Sequence, residues 1–272
     1  MTRFWICLGA VGFMAVVYLA ALCPWKRPRR RLHSGLYAHR GLHGADRAEN
    51  SLEAFQAASA AGYGVELDVR LSADGVVVVF HDDTLMRACG QAKGVEELSL
   101  SELKGLRLFG TRCRIPTLAQ ALEAMEGHCP LIVEIKPGAR LKELCEKTAQ
   151  LLEGYPGPFC VESFDPRVLY WFRQKRPQMI RGQLSMNFFR ERGRLPLVLA
   201  FVLTHLLSNF LTGPDFIAYP FRDEQDTAFS ICRHLFRIPA VAWTVTEPSQ
   251  LERAGRGFDA VIFEGFCPER QA

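Results

Sequence analysis

The sequence predicts a (β/α)8 TIM barrel behind one N-terminal transmembrane helix. Three observations carry this: a charge-free apolar run at residues 4–23, nine short apolar strand candidates alternating with helical stretches, and one connection too short to cross a parallel sheet. Residues 1–31 would form a membrane anchor with a basic juxtamembrane segment, and residues 32–272 a single barrel domain. At 272 residues and 49% hydrophobic content, the chain has ample material for one large core.

The apolar run comes first. Its twenty residues would reach about 30 Å as a helix, enough to span a bilayer. A cleaved signal peptide is the alternative, but the run exceeds such a peptide's apolar core and no small-x-small cleavage pattern precedes the basic cluster. Arg3 and the amino terminus stand before the helix, whereas Lys26, Arg27, Arg29, Arg30 and Arg31 follow it. The positive-inside rule therefore puts the domain in the cytoplasm, and the cluster suits anionic lipid headgroups. With those six cations of residues 1–31 set aside, 27 Lys and Arg face 29 Asp and Glu, a net charge of −2, so nucleic-acid binding has no electrostatic support. The nine cysteines lack C-x-x-C spacing, and seven of them lie scattered in the domain, which points to free thiols in a reducing compartment.

Strands are expected at residues 35–39, 65–71, 76–81, 131–136, 159–163, 180–184, 216–219, 240–245 and 260–263. Helices are expected at 51–61, capped by Asn50 or Ser51, and at 117–125, 141–153, 167–175, 223–235 and 249–254. Ser72-Ala73-Asp74-Gly75 cannot hold a parallel crossover and must be a hairpin turn, which leaves eight parallel positions. A turn centred between Ala73 and Asp74 would set Glu66 opposite His81 and Asp68 opposite Val79. The site should lie at the C-terminal strand ends, near His39, Glu134-Ile135-Lys136, Ser163 and Trp243.

Glu66 and Asp68, two apart on a strand, project from one face and can converge on one ion, while Val65, Leu67 and Val69 make the other face apolar. Glu134 can complete that metal site and Lys136 reach a substrate phosphate. His39 precedes Arg40-Gly41, where the guanidinium can fork onto phosphate oxygens and glycine admits close backbone approach. Histidine is the side chain whose ordinary titration range lies near neutrality, so the pair His39 and His81 matches a base and an acid. The other histidines, at 33, 43, 128, 205 and 234, lack such neighbours and are read as structural.

Taken together, Tyr37-Ala38-His39-Arg40-Gly41, Glu49-Asn50-Ser51, Glu66-Leu67-Asp68, Phe80-His81-Asp82 and Glu134-Ile135-Lys136 resemble the glycerophosphodiester phosphodiesterase family from about Tyr37 to Phe263. The resemblance implies His39 and His81 as the acid/base pair, Glu66, Asp68 and Glu134 as ligands of Mg²⁺ or Ca²⁺, and Arg40 and Lys136 on the phosphate. It also implies Glu49 bordering or joining the metal site and Trp243 lining the alcohol pocket. Family members release sn-glycerol 3-phosphate and an alcohol from a deacylated or lysophospholipid-like diester. Two departures fall on the pocket's rim: Ala48 where proline is usual, and Phe263-Glu264 where Thr-Asp is frequent.

The expectation is a membrane-anchored, metal-dependent phosphodiesterase acting on a small-molecule or lysophospholipid diester. Lysophospholipase D or phospholipase-C-like cleavage of a lipid diester is the rival within the same barrel type. A non-catalytic membrane receptor for phosphodiesters is the rival from another class. The charge-free run at residues 195–211 admits two readings, a barrel helix covered by neighbours or a membrane-facing helix beside the site's mouth.

Overall fold

Short apolar runs between turn residues form nine strands: β1 (Gly35–Ala38), β2 (Gly64–Leu71), β3 (Val77–Val79), β4 (Leu131–Ile135), β5 (Phe159–Ser163), β6 (Arg181–Leu184), β7 (Phe216–Pro220), β8 (Ala240–Val245) and β9 (Ala260–Phe263). The structure, a computed structural model, describes residues 2–25, 32–190 and 195–268, and the basic cluster at 26–31 lies outside them. Eight strands run parallel, and β1 pairs with both β2 and β9, closing a (β/α)8 barrel with β3 as an antiparallel appendage on β2.

Among the described residues, the helices are α1 (Thr2–Leu22), α2 (Leu52–Ala60), α3 (Met86–Cys89), α4 (Leu100–Gly105), α5 (Leu118–Met125), α6 (Leu141–Glu153), α7 (Pro166–Lys175), α8 (Leu197–Thr204), α9 (Asn209–Thr212), α10 (Thr227–His234) and α11 (Pro248–Gly257). Ser51, not Asn50, caps α2, its hydroxyl accepting from Ala54 N. The helix expected at 223–235 starts only at Thr227, because Phe221–Asp223 forms a separate 3₁₀ turn.

The hairpin register differs from expectation by one residue. Ser72 N donates to Val76 O and Gly75 N to Ser72 O, so Ala73, Asp74 and Gly75 make a three-residue loop in place of two. Gly75 sits at φ +80°, the left-handed position such a loop requires. Val69 thus faces Val79, and Asp68 O accepts from Phe80 N. Pairing ends there, so His81 reaches the site from irregular chain beyond the strand and is not set opposite Glu66 by the ladder.

A second small core, built on Val78, Phe80, Leu85, Val95, Leu98, Leu103, Leu108 and Ile115, fills the excursion between β3 and α5. Its α3 and α4 have no counterpart among the helices expected from the sequence. The run at 195–211 is interrupted after α8, with Leu206 at φ +53°, before α9 begins. At its C-terminal end α1 docks on this region: Leu22 is fully buried, Asn209 Nδ2 donates to Leu22 O at 3.2 Å, and Tyr18 Oη pairs with His205 Nδ1 at 2.9 Å. From Phe4 to Val17 the helix is exposed. All nine cysteines are free thiols.

Candidate active site

Alternation along β2 divides apolar from charged. Val65, Leu67, Val69 and Leu71 join the outer core with Phe55, Leu118 and Leu144, so Glu66, Asp68 and Arg70 point into the barrel. Asp68 is in register with Glu134 of β4, and Glu134 with Glu162 of β5, which places three carboxylates side by side across neighbouring strands.

Glu66, Asp68 and Glu134 are 2%, 1% and 6% exposed, and one oxygen from each lies within 4.8 Å of the others. Burial, then the charges of Asp68 and Glu134, raises Glu66 well above the ordinary carboxyl value. Burial also pushes Glu134 up to about 7, against the pull of Lys136. Asp68 goes the other way: burial is outweighed by Lys136, His81, Arg40 and the hydrogen bond from Asn50, which hold it below the usual range. Buried oxygens that would otherwise take up protons fit a hard divalent cation such as Mg²⁺ or Ca²⁺.

Two cations face this cluster. Lys136 Nζ, just past the end of β4, lies 2.7 Å from Glu134 Oε1 and 3.2 Å from Asp68 Oδ1. Arg40, in the turn after β1, donates through its main-chain N to Glu66 Oε2 at 3.1 Å and sets Nε 3.5 Å from Asp68 Oδ2. Both Arg40 and Asn50 adopt φ +54°, a conformation non-glycine residues rarely hold unless their surroundings enforce it. Asn50 N donates to Arg40 O, and Asn50 Nδ2 to Asp68 Oδ2 at 2.8 Å, so the two residues brace one another and the carboxylate.

Each histidine singled out in the sequence rests on a carboxylate. His39 Nδ1 pairs with Glu264 Oε2 at 2.9 Å, leaving Nε2 3.9 Å from Glu66 Oε2. His81 Nδ1 pairs with Asp82 Oδ1 at 2.6 Å. Such a pairing fixes the ring and leaves the other nitrogen for proton transfer. Burial moves His81 below its ordinary value, with Lys136 and Arg40 adding to the effect and Asp68 opposing it. Hydrogen bonds from His39 and His43 hold Glu264 low, and those from Arg87 and His81 bring Asp82 to about 2 although burial opposes it.

Glu49 stands apart from the carboxylate cluster. It accepts from Arg40 Nη1 at 2.8 Å and from Arg87 Nη2 at 2.7 Å, so it borders the site through Arg40. On β8, Trp243 meets Phe164 edge-on at 5.7 Å, and its buried Nε1 lacks a hydrogen-bond partner. Ser163 spends its hydroxyl on Ile135 O and is fully buried.

Sequence reasoning missed Glu162, Glu264 in its bracing position, His43 and Arg87. Glu162 alternates with Val161 on a predicted strand, and that signal could have found it. Its Oε2 is buried without a partner, and burial with the neighbouring Glu134 charge raises it well above the ordinary value. The pairings of Glu264 with two histidines and of Arg87 with Glu49 join segments distant in sequence, and no local pattern announces them.

A family profile described as the Glycerophosphoryl diester phosphodiesterase family matches residues 39–263. The chain is 31% identical over 169 residues to glycerophosphodiester phosphodiesterase 1 of Mus musculus, covering 57% of this chain and 49% of that protein. It is 31% identical over 157 residues to a lysophospholipase D of Rattus norvegicus, covering 53% and 48% respectively. The chain thus spans about half the length of these curated relatives. Its fold superposes with a TM-score of 0.68 and 26% identity on an Oleispira antarctica phosphodiesterase solved with the product sn-glycerol 3-phosphate, covering 84% of this chain and 92% of that one. A Thermotoga maritima glycerophosphodiester phosphodiesterase gives a TM-score of 0.66 at 27% identity, over 86% and 96%.

Proposed function

From the premise that this chain belongs to the glycerophosphoryl diester phosphodiesterase family, we propose that it hydrolyses glycerophosphodiesters to sn-glycerol 3-phosphate and an alcohol. The observation that carries this reading is the pair of carboxylate-braced histidines beside a buried three-carboxylate cluster. Residues 32–272 would be the catalytic domain and residues 1–31 its anchor, with the domain on the cytoplasmic side.

Glu66, Asp68 and Glu134 would hold Mg²⁺ or Ca²⁺, which supplies Lewis-acid polarisation of the phosphate when bound. Arg40 and Lys136 orient the phosphate by charge-assisted hydrogen bonds, and Glu49 steadies the guanidinium from behind. Of His39 and His81, one takes the proton of the attacking hydroxyl at its free ring nitrogen and the other returns a proton to the departing alkoxide. Trp243 would line the alcohol side with its ring, its unpaired Nε1 being buried.

A lysophospholipid-type diester is the second reading, favoured by an apolar row. Trp243 contacts Phe164, Phe164 contacts Phe188 at 5.9 Å, and Phe188 packs with Ala200 and Leu203 of α8. Such a row could carry an acyl chain away from the charged cluster. Full-length protein in detergent, assayed against glycerophosphocholine, glycerophosphoethanolamine and lysophosphatidylcholine with Mg²⁺, Ca²⁺ or chelator, separates the readings by product. Release of sn-glycerol 3-phosphate from the first two supports hydrolysis of small diesters, and lysophosphatidic acid from the third supports the lipid reading. Absence of product from all three under every metal condition would overturn both.

A further inference from the structure

Helices α8 and α9 break the rule that a barrel's outer helix shows water a polar stripe. Leu197, Val198, Leu199 and Phe201 on α8, and Phe210 and Leu211 on α9, are all exposed, Val198 to 76%. Residues 195–211 carry no formal charge. The buried side of α8 is accounted for, since Ala200 and Leu203 pack on Phe188. The outer side therefore presents a second apolar surface that the barrel core does not use, of the kind that marks an interaction site.

What lies beside this surface identifies its partner. The docked end of α1 ends on the same element: Leu22 O accepts from Asn209 Nδ2, and Tyr18 stacks edge-on against His205 while hydrogen-bonding its Nδ1. The 187-residue separation of both contacts makes them tertiary, and the buried Asn209 is fully enclosed. The exposed stretch of α1 from Phe4 to Val17 leads away from this junction, so the exposed face of α8 and α9 flanks the place where the anchor leaves the domain.

We infer that the outer face of α8 and α9 is seated in the bilayer beside α1, so that the barrel lies on the membrane through a second, monotopic contact and does not merely hang from a tether. The occupant is lipid: an uncharged surface with leucine, valine and phenylalanine side chains matches the acyl boundary, where amphipathic elements bury an apolar face by about 5–10 Å. The inference rests on reading α1 as a membrane span. It fixes which side of the barrel faces lipid, with Phe188 and Phe164 between that face and Trp243.

The test places a photo-activatable diazirine amino acid, one position at a time, at Phe13 in α1, at Val198 and Phe210 in the α8–α9 face, and at Gln56. Gln56 is exposed on α2, which joins the first and second barrel strands and so lies across the barrel from α8 and α9, between the fifth and sixth. Full-length protein is reconstituted in phosphatidylcholine/phosphatidylglycerol vesicles, irradiated, and analysed by mass spectrometry for lipid adducts. Adducts at positions 13, 198 and 210 with none at 56 are expected. Adducts at 13 with none at 198 or 210 would overturn the inference while leaving the anchor intact. Loss of adducts at 13 as well would remove the membrane reading itself, and adducts at 56 equal to those at 198 would show contact without a preferred face. Because each label replaces an exposed side chain, folding is checked by retained diesterase activity.

Discussion

The two halves of the barrel share an apolar inner layer and differ in the charge they add to it. On β1, β2, β4 and β5 and the turns that follow them, an apolar layer of Tyr37, Ile132 and Cys160 is joined by a charged set of His39, Glu66, Asp68, Glu134, Lys136 and Glu162. On β6 to β9 that layer continues as Leu184, Phe216, Ala218, Val241, Ala260 and Ile262, with Trp243 above. Phe216 fits only because β6 offers Gly182 opposite it, where a Cβ would lie 2.1 Å from the ring. The parallel scaffold is common to both halves, so the difference lies in side chains alone. A phosphodiester has the same division, an anionic centre and an alcohol, so on the proposed function charge handling and alcohol choice should be separately alterable.

Removing the divalent cation should have the largest effect, because it disables the charged half outright. Chelation is expected to abolish activity, and readdition to restore it and raise the melting temperature through binding to the native state. Since Glu66 and Glu134 are raised by burial, cation binding must displace protons from them and strengthen as pH rises toward about 7. Calorimetry in two buffers of different ionisation heat reads that release directly; zero net proton release at pH 6 would contradict it.

Next in size, His39→Ala and His81→Ala should each lower kcat by about 10²–10⁴-fold, the usual cost of losing a general acid or base. Near wild-type kcat in either variant would take that histidine out of the reaction. Trp243→Ala reaches into the apolar half and should change selectivity among alcohols by about 10–200-fold in kcat/KM, with a smaller effect on the shared phosphate. A uniform loss across all alcohols would erase the proposed division between halves.

The smallest expected effect sharpens the comparison through stability. Glu162 is buried, lacks a partner at Oε2, and titrates well above the ordinary 4.5 when folded. The folded state then holds a proton that the unfolded chain has lost, so stability present below pH 4.5 declines as pH rises toward the folded value, by about 1.4 kcal/mol per pH unit across that window. In chelator, Glu162→Gln should flatten this decline, with a larger gain in melting temperature at pH 8 than at pH 5. Parallel melting curves for the two proteins at both pH values would refute it.

Much of this was legible in the sequence because the signals were local. Alternation of Val65, Leu67 and Val69 with Glu66 and Asp68 announced both the strand and its charged face, and the brevity of 72–75 announced the hairpin. The hairpin's register was not legible to one residue, since a two-residue and a three-residue loop fit the same four letters and only the left-handed Gly75 decides between them. The α3 and α4 excursion stayed hidden because segments this short have little periodicity. Glu264 was noted only as a departure from a familiar pair, and its hold on His39 and His43 emerges when distant strands meet.

The bond between His39 and Glu264 joins residues 225 positions apart and crosses the seam where β1 and β9 pair, next to the main-chain bond from His39 N to Phe263 O. Bringing such remote segments together carries the loop-closure cost of the whole domain, which is met only when the ring is complete. A partly wound chain can already assemble Glu66, Asp68, Glu134 and Lys136 on adjacent strands, yet its imidazole at position 39 stays unbraced. On the proposed reading, the proton-transfer pair is complete only once the ring has closed, and an unfinished barrel would lack the braced His39 that hydrolysis needs.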